Sequence, residues 1–228
     1  MAKPYQVKQA RGILTKYRLG VNNVVDYKHP QIQILAASLS GQTPLITAKN
    51  CFDWVRDHIE HSIDFHREEV TCKTSDVLRI GTGLCTAKSH LLVALWRANQ
   101  IPAGFCYQRL TLDGPNPPYC THGFTAVWLD DRGWYRCDAR GNSKPGIHCA
   151  FTPGQENLAY PTIYNGEQTY PEVWAEPWPD LLAAMEKLQS ISQYRSDPID
   201  ACPPATDLCV SEPTGMNIHS AETDHVLP

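Results

Sequence analysis

The stretch Ile80-Gly81-Thr82-Gly83-Leu84-Cys85 stands directly before a long apolar-periodic run, and its reading decides the fold. From Leu84 the apolar residues fall at Ala87, Leu91, Leu92, Leu95 and Ala98, steps of three and four that mark one face of a helix. The helix should stop near Asn99, because Pro102 pushes Ile101 out of helical backbone. Gly81 and Gly83 break structure just upstream, so Cys85 falls in the first turn. There the unpaired amide N–H groups and the positive end of the helix dipole favour a thiolate over a thiol.

An activated cysteine needs a base. His122 opens the strand-like run His122-Gly123-Phe124-Thr125-Ala126-Val127-Trp128-Leu129. After the turn residues Asp130-Asp131-Arg132-Gly133, a second strand from Trp134 to Asp138 ends on a carboxylate. Thiol, imidazole and carboxylate therefore arrive in the order Cys85, His122, Asp138, the equipment for acyl transfer through a covalent thioester. One point of register stands against them. A three-residue hairpin loop at Asp131–Gly133 puts His122 and Asp138 on one sheet face but sets Asp138 opposite Ala126, too far from His122 to bond. A bulge or a different loop must close that gap.

Several blocks recur together: Thr74-Ser75-Asp76-Val77-Leu78 through Gly83-Leu84-Cys85, Ala94-Leu95-Trp96-Arg97-Ala98, Ile101-Pro102-Ala103-Gly104, His122-Gly123 to Trp128-Leu129, and Gly133-Trp134-Tyr135 to Asp138-Ala139-Arg140-Gly141-Asn142. In this order they resemble a bacterial-type member of the transglutaminase-like superfamily over roughly residues 30 to 180. The resemblance implies a papain-like cysteine-enzyme core, with Cys85 as nucleophile, His122 as general base and acid, and Asp138 orienting the imidazole. Animal transglutaminases carry glutamine before and tryptophan after the nucleophile, where this chain has Leu84 and Thr86. It is also too short for their additional β-domains. These departures bear on cross-linking activity and not on the thiol chemistry.

At 228 residues the chain suits one domain of ordinary size, with a core that needs no disulfides. A net charge of −4 gives no nucleic-acid footprint, and no apolar run approaches the roughly 20 residues that span a bilayer. The start Met1-Ala2-Lys3-Pro4-Tyr5-Gln6-Val7-Lys8 lacks a following apolar segment, so a secretory signal is not expected. Nine cysteines without a C-x-x-C pair then read as free thiols in a reducing cytoplasm, without a zinc site or other cofactor. The expected partner is a peptide or protein amide, with neither nucleic acid nor membrane.

Residues 1–28 read as a weakly patterned arm and 29–190 as the catalytic domain. Within it, helices are expected over Gln31 to Leu39 and from Pro44 or Ile46 to His61, with Ala48, Cys51, Phe52, Val55 and Ile59 inward. Strands follow the Cys85 helix, first Gly104 to Leu112, then the hairpin that carries His122 and Asp138. A closing helix is expected over Pro179 to Leu188. Helices first and antiparallel strands after give an α+β class. Residues 191–228 read as an acidic tail. Beyond Arg195 there is no Lys, Arg or aromatic residue but five prolines and six acids, so the tail carries −6 and the rest +2. Such a segment is expected to stay disordered.

Other candidates carry alternatives. The backbone N–H of Cys85 is the natural first donor to an oxyanion, and Gln108 on the following strand is the candidate for the second. His58, His61 and His66 raise a metal reading, His58 and His61 sharing a helix face, but no carboxylate or cysteine pattern completes a ligand set. Trp54, Trp96, Trp128 and Trp134 read as core or cleft-wall residues, and the loops Asp113–Thr121 and Ser143–Gly166 as cleft walls. Against the thiol enzyme stands a catalytically idle peptide-binding module of the same fold, which a displaced Cys85, His122 and Asp138 would favour.

Overall fold

The computed structural model describes residues 15–18, 20, 22–204 and the backbone of 209–210. Its centre is a helix and the sheet that helix leans on. We label the helices α1 (Pro30–Ser38), α2 (Pro44–His58), α3 (Thr74–Ile80), α4 (Cys85–Ala98), α5 (Pro179–Lys187) and α6 (Ile191–Ser196). The strands are β1 (Glu60–His61), β2 (Thr82–Gly83), β3 (Ala103–Thr111), β4 (Tyr119–Leu129), β5 (Gly133–Cys137), β6 (Gln168–Thr169), β7 (Val173–Trp174) and β8 (Cys209–Val210).

Helix α4 is buried from Cys85 to Arg97, with Leu91, Leu92, Leu95 and Trp96 in the core between α1, α2 and the sheet. It ends at Asn99, where Pro102 follows closely, as the sequence requires. The α2 helix is capped by Thr43, whose side chain accepts from the Ile46 N–H. The main sheet runs β5-β4-β3-β7-β8 with β6 also paired to β3, all antiparallel. Helices packed on an antiparallel sheet make the chain α+β.

Three features differ from the sequence reading. Helix α2 stops at His58, so His61 lies on a strand; β1 pairs in parallel with β2, His61 against Gly83. The β4–β5 hairpin pairs Leu129 with Gly133 and turns through Asp130, Asp131 and Arg132. Gly133 takes the left-handed φ of 78° that a three-residue loop needs. Finally, residues 191–204, assigned by composition to the tail, pack on the domain. Ile191 and Tyr194 are buried, the Thr121 N–H donates to the Ile199 carbonyl at 2.7 Å, and Arg109 grips Asp200. Backbone hydrogen bonding, which composition does not register, holds this segment. The expected disorder of 205–208 and 211–228, and most of the expected arm (1–14, 19 and 21), lie outside the described residues. Tyr17, Val24, Val25 and Tyr27 of the arm are buried.

Candidate active site

Cys85 is the first residue of α4, after Leu84 in extended backbone, and no side chain caps that helix end. Its first-turn N–H groups are therefore free to act on the sulfur or on an atom bound to it. His122 reaches the site from β4, whose neighbour Gly123 lies against α4. A Cβ on Gly123 would stand 2.9 Å from Thr86 Oγ1 and 3.0 Å from Thr86 Cα, so only glycine allows this approach. The Ser89 hydroxyl donates to the Gly123 carbonyl at 3.1 Å and fixes the contact.

Asp138 follows the last residue of β5. The observed three-residue loop lies one position earlier than the expected one, so Asp138, next after the Thr125–Cys137 pair, falls two residues closer to His122 along β4. The Nε2–H of His122 donates to Asp138 Oδ2 at 2.7 Å, leaving Nδ1 for the cysteine. The Asp138 carboxylate also accepts from the Arg140 N–H at 2.9 Å and the Ala159 N–H at 3.1 Å. All three side chains are buried, and Tyr160 stands edge-on to His122 at 5.2 Å. The gap seen in the sequence is closed by the register and by the departure of the chain after Cys137, without a bulge.

The electrostatics follow from this placement. Burial pushes the Cys85 thiol up, but the charge and hydrogen bond of His122 and a further hydrogen bond from His61 outweigh it and hold the thiol well below its ordinary value. Burial would lower the His122 pKa; the Cys85 thiolate and the Asp138 carboxylate raise it instead. Burial likewise raises Asp138, and the His122 charge overcomes it and keeps the carboxylate ionised. Elsewhere burial is the largest influence on the thiols, pushing Cys51, Cys72, Cys120 and Cys149 up to about 12. Cys85 is chemically set apart from them.

Asp138 lies behind His122, and Cys85 and His122 line a cavity of about 340 Å³. Its apolar side is formed by Ile63, Leu84, Leu110, Leu112 and Tyr194, and its polar side includes Arg140, Ser143 and Lys144. Parts of both expected wall loops line it, and so does α6 through Tyr194 and Arg195. Gln108 does not. Its Nε2 donates to the Tyr160 carbonyl at 3.0 Å and to Thr169 Oγ1 at 2.9 Å, which uses both amide hydrogens. The expectation of an oxyanion donor at Gln108 is therefore corrected. Trp54, Trp96, Trp128 and Trp134 do not line the cavity; Trp96 is core, its Nε1 donating to the Ala48 carbonyl.

The three histidines of the metal reading separate. His58 is exposed and stacks on Trp54, His66 sits in a turn, and His61 turns to Cys85. No group of three His, Cys, Asp or Glu side chains among the described residues is placed to hold a metal ion. The placement of His61 in the Cys85 cavity is not legible in the sequence, because a two-residue strand leaves no periodicity.

Residues 33–139 match the model of the transglutaminase-like superfamily. No curated protein matches the chain. Among solved structures it is similar to a candidate cysteine protease from Cytophaga hutchinsonii, at 20% identity and TM-score 0.45 over 57% of this chain and 42% of that one. It is also similar to the periplasmic domain of TgpA from Pseudomonas aeruginosa, at 16% identity and TM-score 0.42 over 57% of this chain and 47% of that domain. The chain thus spans less than half of either structure.

Proposed function

We propose, from the match of residues 33–139 to the transglutaminase-like superfamily model, that this chain is a transglutaminase-like cysteine enzyme acting on the amide of a peptide or protein. The Cys85 sulfur attacks the amide carbonyl, and the π electrons move to oxygen. His122 Nδ1 then gives its proton to the departing nitrogen as the C–N bond breaks, leaving a thioester on Cys85. Water or an amine, deprotonated by His122, resolves it and restores the thiolate. One observation carries the reading: a buried His122–Asp138 pair, 2.7 Å apart, turns its free ring nitrogen to a thiol held low at a helix start. An idle binding module would have no need of this charge arrangement.

The test is a single-turnover reaction with an activated peptide acyl ester, acid quench, and mass spectrometry of the peptide containing Cys85. The expected result is an acyl adduct on Cys85 that is absent in Cys85→Ser and that decays faster when a primary amine is added, if transfer is the second half-reaction. Decay independent of amine points to hydrolysis. Absence of the adduct overturns the proposal. We further propose the cytoplasm as its compartment, a reading supported by the free state of all eight described cysteines. Cell fractionation with detection of the native protein tests that.

A further inference from the structure

Cys85 is met by two histidines, and each of them faces an aspartate. The second pair is His61 and Asp64. The parallel pairing of β1 with β2 sets His61 beside Gly83, two residues before Cys85. The Ser62 N–H donates to the Gly83 carbonyl at 3.1 Å and the Thr82 hydroxyl to the Glu60 carbonyl at 3.0 Å, which fixes that register. The His61 ring is buried, lines the same cavity as Cys85, and carries Nδ1 3.6 Å from Asp64 Oδ1.

Asp64 is itself held. Arg140 closes a fork on both its oxygens at 2.7 and 2.8 Å, and the Ser143 hydroxyl donates to it. Arg140 is 3% exposed, and its backbone N–H also donates to Asp138. One residue therefore ties the two histidine–aspartate pairs into a single frame around the sulfur. Gln108 is spent on Tyr160 and Thr169, so the site needs another side-chain donor for charge that develops on a carbonyl oxygen.

We propose that His61 is a second catalytic residue of this site, donating a ring N–H to the Cys85 sulfur at rest and to the substrate carbonyl oxygen as charge moves there, with Asp64 as its positioning residue. This rests on the acyl-transfer reading above. As the S–C bond forms, negative charge leaves sulfur and settles on oxygen. A donor already beside the sulfur needs only a small turn to follow it. No proton is transferred by His61. When the intermediate collapses, the oxygen's electron pair re-forms the carbonyl, the amine leaves with the proton from His122, and the His61 hydrogen bond relaxes. Nδ1 faces the Asp64 carboxylate, so the donor to sulfur is Nε2 and each ring nitrogen carries a hydrogen in this arrangement. The charged or titratable groups around the ring are Cys85, Asp64 and Arg140, with its chain neighbour Glu60; Arg56, Asp57 and Lys88 share a smaller cavity with it.

The test compares His61→Phe, His61→Gln and Asp64→Asn with the full-length wild type, by the pH profile of Cys85 alkylation with iodoacetamide and by kcat and KM on an amide substrate. In His61→Phe the midpoint of alkylation should move to higher pH and kcat fall about 100-fold, with KM nearly unchanged. His61→Gln, whose amide N–H can still donate, should recover about tenfold of that loss. Asp64→Asn keeps the ring but loosens it and should lower kcat about tenfold. Equal losses in the Phe and Gln variants would assign His61 to packing alone and overturn the proposal. So would wild-type kcat in Asp64→Asn, which serves if His61→Phe does not fold. Wild-type protein in which Cys85 shows no preferential alkylation would instead defeat the acyl-transfer reading itself.

Discussion

The Nε2 of His122 lies 2.7 Å from Oδ2 of Asp138, and the carboxylate accepts two backbone N–H groups besides. The imidazole thus has one fixed tautomer, with its other nitrogen left for Cys85. Asp138→Asn keeps the size of the side chain but turns an N–H toward at least one of these donors. It should lower turnover about 10³–10⁴-fold while costing about 1–3 kcal/mol of stability. Parallel kinetics and urea unfolding check both effects. Wild-type turnover in a folded Asp138→Asn would mean that Asp138 only ends a strand.

Gly123 should matter more to chemistry than to folding. A methyl group there meets the backbone of Thr86 at 3.0 Å, and relief requires β4 to lift from α4, carrying His122 away from Cys85. Gly123→Ala should cost about 1–3 kcal/mol and lower the Cys85 alkylation rate at least about tenfold. A stable variant with unchanged reactivity would show that the approach of α4 to β4 does not set the pair.

The segment after α6 should be part of the fold. Truncation after Arg195 removes the Ile199 and Ala201 hydrogen bonds to Thr121, which lines the cavity, and the Asp200 partner of Arg109. Thermal unfolding should shift down by about 5–10 °C. An unchanged Tm would mean that these contacts add nothing.

Much of this arrangement was legible in the sequence. The 3.6-residue periodicity after Leu84 and the stop before Pro102 place α4, and strand-like runs bounded by turn residues place β3 to β5. What was not legible has physical causes. Four consecutive turn-forming residues, Asp130 to Gly133, allow two hairpin registers, and only packing of β4 on α4 selects one. Strands of two residues leave no pattern, so His61 was read onto a helix. The stretch 197–204 is held by main-chain hydrogen bonds and an ion pair, which its polar composition does not announce. Gln108 sits on the expected strand, but its hydrogens are taken by Tyr160 and Thr169, contacts distant in sequence.

Acid should weaken the fold through His90. Its ring is buried against Phe105, its Nδ1 pairs with the Cys72 carbonyl, and burial lowers its pKa from 6.5 to about 4. The unfolded chain binds this proton first as pH falls. The stability is therefore present above pH 6.5 and is lost progressively toward pH 4, by about 3 kcal/mol. Chemical denaturation across that window should show this loss, and His90→Leu should flatten it at a cost of about 1 kcal/mol for the unpaired Cys72 carbonyl. An equal slope in His90→Leu would remove His90 as the cause.

Cys85 should be a thiolate by virtue of His122, and the other cysteines supply controls within one molecule. Time-resolved alkylation at mildly acidic pH, read by mass spectrometry of each cysteine peptide, measures it without a substrate. Cys85 should be modified well ahead of exposed Cys202 and of the buried thiols pushed up to about 12, and His122→Ala should abolish most of that lead. If Cys85 reacts no faster than Cys202, or if His122→Ala leaves its rate unchanged, the thiolate–imidazolium pair does not exist.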